Sequence, residues 1–446
     1  MAAAYNSPRQ QWFAFSRPTK TETVSASLPP LQASLLETVR EYPEDDAPRL
    51  VYADWLEEQG HPRAEFIRLQ CQLAHLREND PCYSSLRERE VELSLEYEDG
   101  WTQPWRKFVR RHLFQRGFAE WVSMTARNFR KAGLRLLHHE PVQDLRLTNL
   151  ETQGYELGQC PSFEKVRGLD LSGLILPAAD FCAWLRSPYL RGLRTLNLQA
   201  LIPRLPLKSI RRLASADLPH LRTLNLGEHI LSLSAWESLA RAPFPSLQRL
   251  HLADCRLRST NLPVVLQGSY IPRLRFLDLS SNFLGAQGLS SFRGAAFAQL
   301  RELRLSYNYI RAQGVRHLCE TPGLDQLTHL RLDTNDLNDA GVQHLLNAPF
   351  ASTLEELHLS YNELTDRSIL RLASSPAFSR LQVLNLSGNL LTERSALALA
   401  QSPYLPSLRS LILTHTSHTF TPETKRSLLA RYPESQFIDI TQDSLY

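Results

Sequence analysis

The sequence lacks any apolar run approaching the roughly 18 residues that a membrane-spanning helix requires. It is also short of paired cysteines. The six thiols, Cys71, Cys82, Cys160, Cys182, Cys255 and Cys319, form no Cys-x-x-Cys pair and stand at no zinc-ligand spacing to a histidine, which argues against both a zinc site and a disulfide framework. Scattered thiols of this kind suit a reducing compartment. The first residues, MAAAYNSPRQQWFAFSRPTK, show no basic stretch followed by an apolar run of roughly 7–15 residues, so no secretory signal is read there. A charge excess of one sign is missing too. The net charge is +4 over 446 residues, and the arginines are spread along the chain, whereas nucleic-acid binding needs basic residues gathered on one face. Lysine is scarce beside arginine, and biased codon usage accounts for that more simply than selection for bidentate anion contacts. No phosphate loop, G-x-S-x-G or H-E-x-x-H motif occurs. The expectation is a cytoplasmic, soluble, monomeric protein off the membrane, with no catalytic residues, no cofactor and no metal.

Along the chain, residues 1–29 are mixed in Ser, Thr, Pro and Ala without a period and read as a disordered leader, in which Trp12, Phe13 and Phe15 could dock on the body or a partner. Residues 30–80 read as a small helical bundle. Leu31, Leu35, Leu36 and Val39 mark one apolar face, and Asp45 or Asp46 can cap a second helix with Pro48 in its first turn. That helix places Leu50, Val51, Trp55 and Leu56 together and ends at Gly60. Pro62 opens a third, carrying Phe66, Ile67, Leu69, Leu73 and Leu76. Residues 81–117 read as a helical connector that covers the open end of the repeat array beginning at residue 118. Its RKFVRR run is the densest basic patch, more simply a solvated face than an anion site.

The stretch LLETVREYPEDDAPRLVYADWLEEQGHPRAEFIRLQCQLAHL, with its DDAPRL, YADWLEE and EFIRLQ blocks in order, closely resembles the bacterial repeat-companion domain, a module found N-terminal to leucine-rich repeats. The resemblance implies a bacterial repeat protein and brings no biochemical activity. The polar positions in these blocks, Arg49, Asp54, Glu65 and Arg68, read as internal ion pairs and caps.

Internal repetition dominates residues 118–446. LRTLNLGEHIL at Leu221, LQRLHLADCRL at Leu247, LRFLDLSSNFL at Leu274, LRELRLSYNYI at Leu300, LTHLRLDTNDL at Leu327, LEELHLSYNEL at Leu354 and LQVLNLSGNLL at Leu381 succeed one another at intervals of 26 or 27 residues. Weaker copies start at Val142, Val166 and Leu193, and a degraded one at Leu408, giving about eleven repeats. In L-x-x-L-x-L the second and third leucines lie two apart and face one side of a short strand. The asparagine that comes next can satisfy backbone groups of neighbouring turns, so Asn282, Asn308, Asn335, Asn362 and Asn389 are expected to form a buried ladder. Cys255 substitutes in it, and His229 and Thr416 are departures where irregularity is expected. Segments such as GVRHLCETP and GVQHLLNAP read as helices on the outer side. The fold expected is an α/β leucine-rich-repeat horseshoe with strands on the concave face, a C-terminal cap in PETKRSLLARYPESQFIDI and a helical N-terminal module. The repeats resemble the ribonuclease-inhibitor-like class.

Function in such a fold is carried by strand residues that face away from the core. Same-position residues of successive strands, about 4.8 Å apart, form stripes. The richest section holds Arg249, His251, Phe276, Asp278, Glu302, Arg304, Tyr307, His329, Arg331, Asp333, Glu356, His358 and Tyr361. Arg and Tyr are common interface anchors, so this patch is the candidate site for a protein partner. The plainer reading is a solvated face with cross-strand ion pairs such as Glu302–Arg331–Glu356. Ranking below it are a metal held by Glu302, His329, Glu356 and His358, a GTPase-regulating arginine such as Arg311, a cysteine-based transferase, nucleic-acid binding at RKFVRR, and a scaffold with no single partner.

Overall fold

The computed structural model describes residues 28–77, 80–150, 154–416 and 419–437. Most of the N-terminal leader, with Trp12, Phe13 and Phe15, lies outside them. The chain forms two compact units, Met1–Leu171 and Ser172–Tyr446, a division later in the chain than the 117/118 boundary expected from sequence.

In the first unit, helices α1 (Pro30–Glu41), α2 (Ala47–Glu58) and α3 (Arg63–Leu73) are followed by the longer α4 (Tyr83–Thr102). Asp45 Oδ1 accepts from the Ala47 N–H at 2.9 Å at the start of α2. Gly60, at φ +66, lets the His61 N–H return to Leu56 O at 2.9 Å and stop the helix. The buried side of α2 is Arg49, Tyr52, Ala53 and Leu56; of the expected Leu50, Val51, Trp55 and Leu56, Leu56 is buried there and Trp55 packs partly buried against the same core. Leu50 and Val51 are exposed, and so is Leu31 of α1. The face is turned because Tyr52 packs edge-on against Phe118 and Arg49 pairs with Glu120. Both partners are distant in sequence. Leu36, Val39, Ile67 and Phe118 join Tyr52 in one core cluster.

The connector expected to be helical throughout is not. After α4 the chain enters β1 (Val109–Gln115), antiparallel to β2 (Phe118–Met124). Arg116 and Gly117 both have positive φ, 48 and 89, as a two-residue hairpin turn requires. A side chain at Gly117 would fall 2.2 Å from Ile67 Cγ1, so the turn is pressed against α3. The basic run thus lies partly on a strand, and its arginines conceal the period-2 pattern. Helix α5 (Ala126–His139), capped by Thr125, then leads to β3 (Asp144–Leu147) and β4 (Gly168–Asp170), and the pairings β2–β3–β4 are parallel. Arg68 bonds Asp54 and Glu57, and Glu65 bonds Arg89, so the polar positions of the N-terminal blocks are spent on internal ion pairs.

The second unit is an α/β leucine-rich-repeat solenoid. Strands β5 (Thr195–Asn197), β6 (Thr223–Asn225), β7 (Arg249–His251), β8 (Phe276–Asp278), β9 (Glu302–Arg304), β10 (His329–Arg331), β11 (Glu356–His358), β12 (Val383–Asn385) and β13 (Ser410–Ile412) each pair in parallel with the next, residue for residue. The middle residue of every strand is a buried leucine, from Leu196 to Leu411. Helices such as Leu233–Ala240, Arg311–Cys319 and Asp366–Ala373 occupy the other half of the repeats.

Two polar ladders lock adjacent turns. In the asparagine ladder, Asn308 Nδ2 donates to Leu279 O of the preceding repeat at 2.9 Å, and the Asn335 Oδ1 accepts from the Asn308 N–H at 2.9 Å. Cys255 Sγ takes the corresponding place at 3.2 Å from Leu226 O. At His229 the ring substitutes for the amide. Its Nε2 donates to Leu198 O at 2.7 Å and its Nδ1 faces the Leu205 N–H at 3.4 Å, an arrangement open only to the neutral imidazole. Thr416 borders residues outside those described. A second ladder joins helix starts: Asp339 accepts from Thr365, Asp366 from Thr392 and Glu393 from Thr421. Helix Pro422–Arg431 comes next, and Gln436 pairs with the backbone of Leu411 and Leu413; the last residues of the expected cap fall outside the described ones.

Candidate partner-binding surface

Register alone decides which strand residues meet. Phe276, between Arg249 and Glu302 in the cross-strand row, is 1% exposed. The Arg249 guanidinium lies 4.0 Å and that of Arg304 5.0 Å from its ring centroid, and the His251 ring packs on it at 4.4 Å. Glu302 ties the two guanidiniums together, at 2.6 Å from Arg304 and 3.8 Å from Arg249. Phe276 is therefore covered by its neighbours' cations and does not present the exposed ring that the sequence led one to expect. Asp278 is buried beside it, its Oδ1 accepting from the Ser280 N–H at 2.9 Å. Long side chains at flanking positions close over the shorter ones.

A second cluster centres on Glu356. Its Oε1 is 2.7 Å from Arg331 Nη2 and 2.7 Å from His358 Nε2, and His329 stands 3.9 Å from its other oxygen. The hydrogen bond from His358, opposed by burial and reinforced by Arg331, holds the Glu356 carboxyl down at about 2. The expected chain Glu302–Arg331–Glu356 is instead two separate clusters, because Glu302 is taken by Arg304 and Arg249. His358 is buried. Asp333 is spent between turns, accepting from Ser306 at 2.9 Å and from the Ser360 N–H at 3.1 Å. Among the described residues no group of three His, Cys, Asp or Glu is placed to hold a metal ion, and no helix is long and apolar enough to cross a membrane.

Tyr307 and Tyr361 are different. They are 56% and 50% exposed and occupy the same position two repeats apart, with Thr334 between them. All three have positive φ, 59, 54 and 53 in chain order, a conformation held by N–H bonds such as Tyr307 to Asp333 O at 2.9 Å. The Tyr361 ring lies against Gly388, where any side chain would approach it to 2.4 Å. Sequence reasoning missed their neighbours one step past the asparagine: Phe283 and Tyr309, 52% and 59% exposed. The signal was present, since this position lies between the consensus asparagine and the next core leucine and has no core role. The same position carries the exposed Ile175, Ile202 and Leu390.

Burial pushes the His251 imidazole down to about 4, against the pull of Asp278 and with help from Arg249 and Arg304; Glu302 also faces it and raises it. Burial lowers His229 in the same direction. In the unfolded chain both titrate near 6.5, so on acidification the unfolded state takes up the protons first. The contribution of His251 is complete above about pH 6.5 and is lost progressively as pH falls towards about 4, and that of His229 is lost in the same direction. The urea midpoint of the wild type should drop across this window, and that of His251→Gln should drop less. Equal drops in the two proteins would show that His251 does not titrate in this way.

Residues 351–373 match the leucine rich repeat family model. No curated protein matches the chain. Solved structures similar to it include internalin C2 from Listeria monocytogenes, at 20% identity and TM-score 0.35 over 50% of this chain and 82% of that one. An internalin (InlF) of the same organism is similar at 16% identity and TM-score 0.36, over 64% of this chain and 83% of that one.

Proposed function

We propose that the second unit is a non-enzymatic binding module for a protein partner, engaged at the strand exits through Tyr307, Tyr309, Tyr361 and Phe283. The observation that carries this reading is a group of half-exposed aromatic side chains on backbone fixed by repeat-to-repeat hydrogen bonds. Aromatic anchors lose little conformational entropy and dominate interface energetics. The ion-paired clusters around Phe276 and Glu356 then act as a stiff polar floor beside them. The cysteines are all unpaired thiols, which favours a reducing compartment such as the cytoplasm for this encounter.

The test is affinity capture with the immobilised chain, followed by titration of the captured protein in purified form. Tyr307→Ala/Tyr309→Ala/Tyr361→Ala should weaken binding by at least about 2 kcal/mol, roughly thirtyfold, with the fold intact. Phe276→Ala should lower stability, and binding only through it. Unchanged affinity of the triple variant would remove the strand exits as the binding site.

A further inference from the structure

We propose that the opposite edge of the second unit, where the strands begin, is a separate docking site for an extended acidic peptide. The residue after the first leucine of each repeat forms a continuous backbone ladder there. The Arg222 N–H donates to Arg194 O at 2.7 Å, Gln248 to Arg222 O at 2.8 Å, Arg275 to Gln248 O at 2.8 Å and Arg301 to Arg275 O at 2.9 Å. Four of five consecutive rungs are therefore arginine, held in register about 4.8 Å apart.

Arg222, Arg275 and Arg301 are exposed. Among the described residues no carboxylate comes within ion-pair distance of these three, and the nearby Asp217 is occupied by Arg191 at 3.0 Å. Like charges on adjacent rungs repel, so Arg222, Arg275 and Arg301 form an anion site that no carboxylate neutralises among the described residues. Towards the C-terminus the next rungs are Thr328 and Glu355, where the charge vanishes and then reverses.

The chemistry and dimensions select the occupant. Five rungs span about 19 Å, which an extended peptide covers in about six residues at about 3.3 Å each. Guanidinium groups bind carboxylates bidentately. No rung is aromatic, so single-stranded nucleic acid would find no base-stacking platform along the row. The site uses none of the strand-exit aromatics and stands whether or not that reading holds.

The full chain is titrated into a fluorescein-labelled hexaglutamate peptide and, separately, into a labelled oligothymidylate of equal charge, with anisotropy as the readout. Arg222→Gln/Arg275→Gln/Arg301→Gln should bind the hexaglutamate at least tenfold more weakly than wild type. The control Arg367→Gln/Arg394→Gln/Arg426→Gln removes the same charge from exposed helix positions and should stay within twofold. All six sites are exposed, and circular dichroism verifies that both variants fold. Equal losses in the two variants, no binding of the peptide by wild type, or tighter binding of the oligothymidylate than of the peptide would each overturn the proposal.

Discussion

Glu140→Ala should destabilise the first unit by about 3–5 kcal/mol. Glu140 is fully buried, and its Oε2 accepts from Arg63 Nη2 at 2.7 Å and from the Ala119 N–H at 3.0 Å. Arg63 is buried too. It donates to Gly117 O at 3.2 and 3.1 Å and lies over the Phe118 ring at 5.1 Å. Removing the carboxylate strands a guanidinium charge among Trp101, Phe114 and Phe118, where water cannot replace the lost partner. Arg63→Met/Glu140→Leu, which removes both charges, should recover at least half of the loss, because a buried pair contributes little relative to apolar residues of similar volume. Urea titration followed by tryptophan fluorescence measures both. A cost below about 1 kcal/mol for Glu140→Ala would mean that water reaches Arg63 and that the pair is not truly desolvated.

Asn335→Leu should cost about 3–5 kcal/mol in the second unit. The Asn335 amide donates to Leu305 O, Leu332 O and Asp333 O at 2.9, 3.0 and 3.1 Å. Its Oδ1 accepts from the Asn308 and Ile310 N–H groups at 2.9 and 3.3 Å. Leucine fits the consensus size but leaves buried backbone groups of two repeats without partners, each costing about 1–3 kcal/mol. Because a solenoid is held by nearest-neighbour contacts, loss of exchange protection should centre on the turns at Asn308 and Asn335. Asn347→Ala, at an exposed position in the turn after the helix Asn338–Leu345, should change stability by less than about 0.5 kcal/mol. Comparable effects of the two substitutions would refute the ladder as a stabilising device.

The asparagine ladder was legible in the sequence because the repeat restates it at fixed spacing, and Cys255 and His229 could be placed in it by counting. The candidate surface was legible only as positions. Phe276, Asp278 and His358 are buried where outward positions led one to expect exposure, because exposure depends on the length of side chains one strand away, and Arg249 and Arg304 come from repeats on either side of Phe276. The connector failed for a related reason: VRRHLFQ has an edge strand's tolerance for arginine, and only its pairing with Phe118–Met124 separates it from a charged helix.

The sequence by itself determined the parallel strand stack of the second unit, the inward leucines and the amide ladder. These arise from a period, and a one-residue slip would turn every leucine outward. The tertiary structure alone decided which outward residues reach solvent, which arginines find carboxylates and that Arg222, Arg275 and Arg301 at the strand-start edge find none among the described residues. Those outcomes depend on side chains about 27 residues apart in sequence and about 4.8 Å apart in space, a proximity that no local pattern encodes.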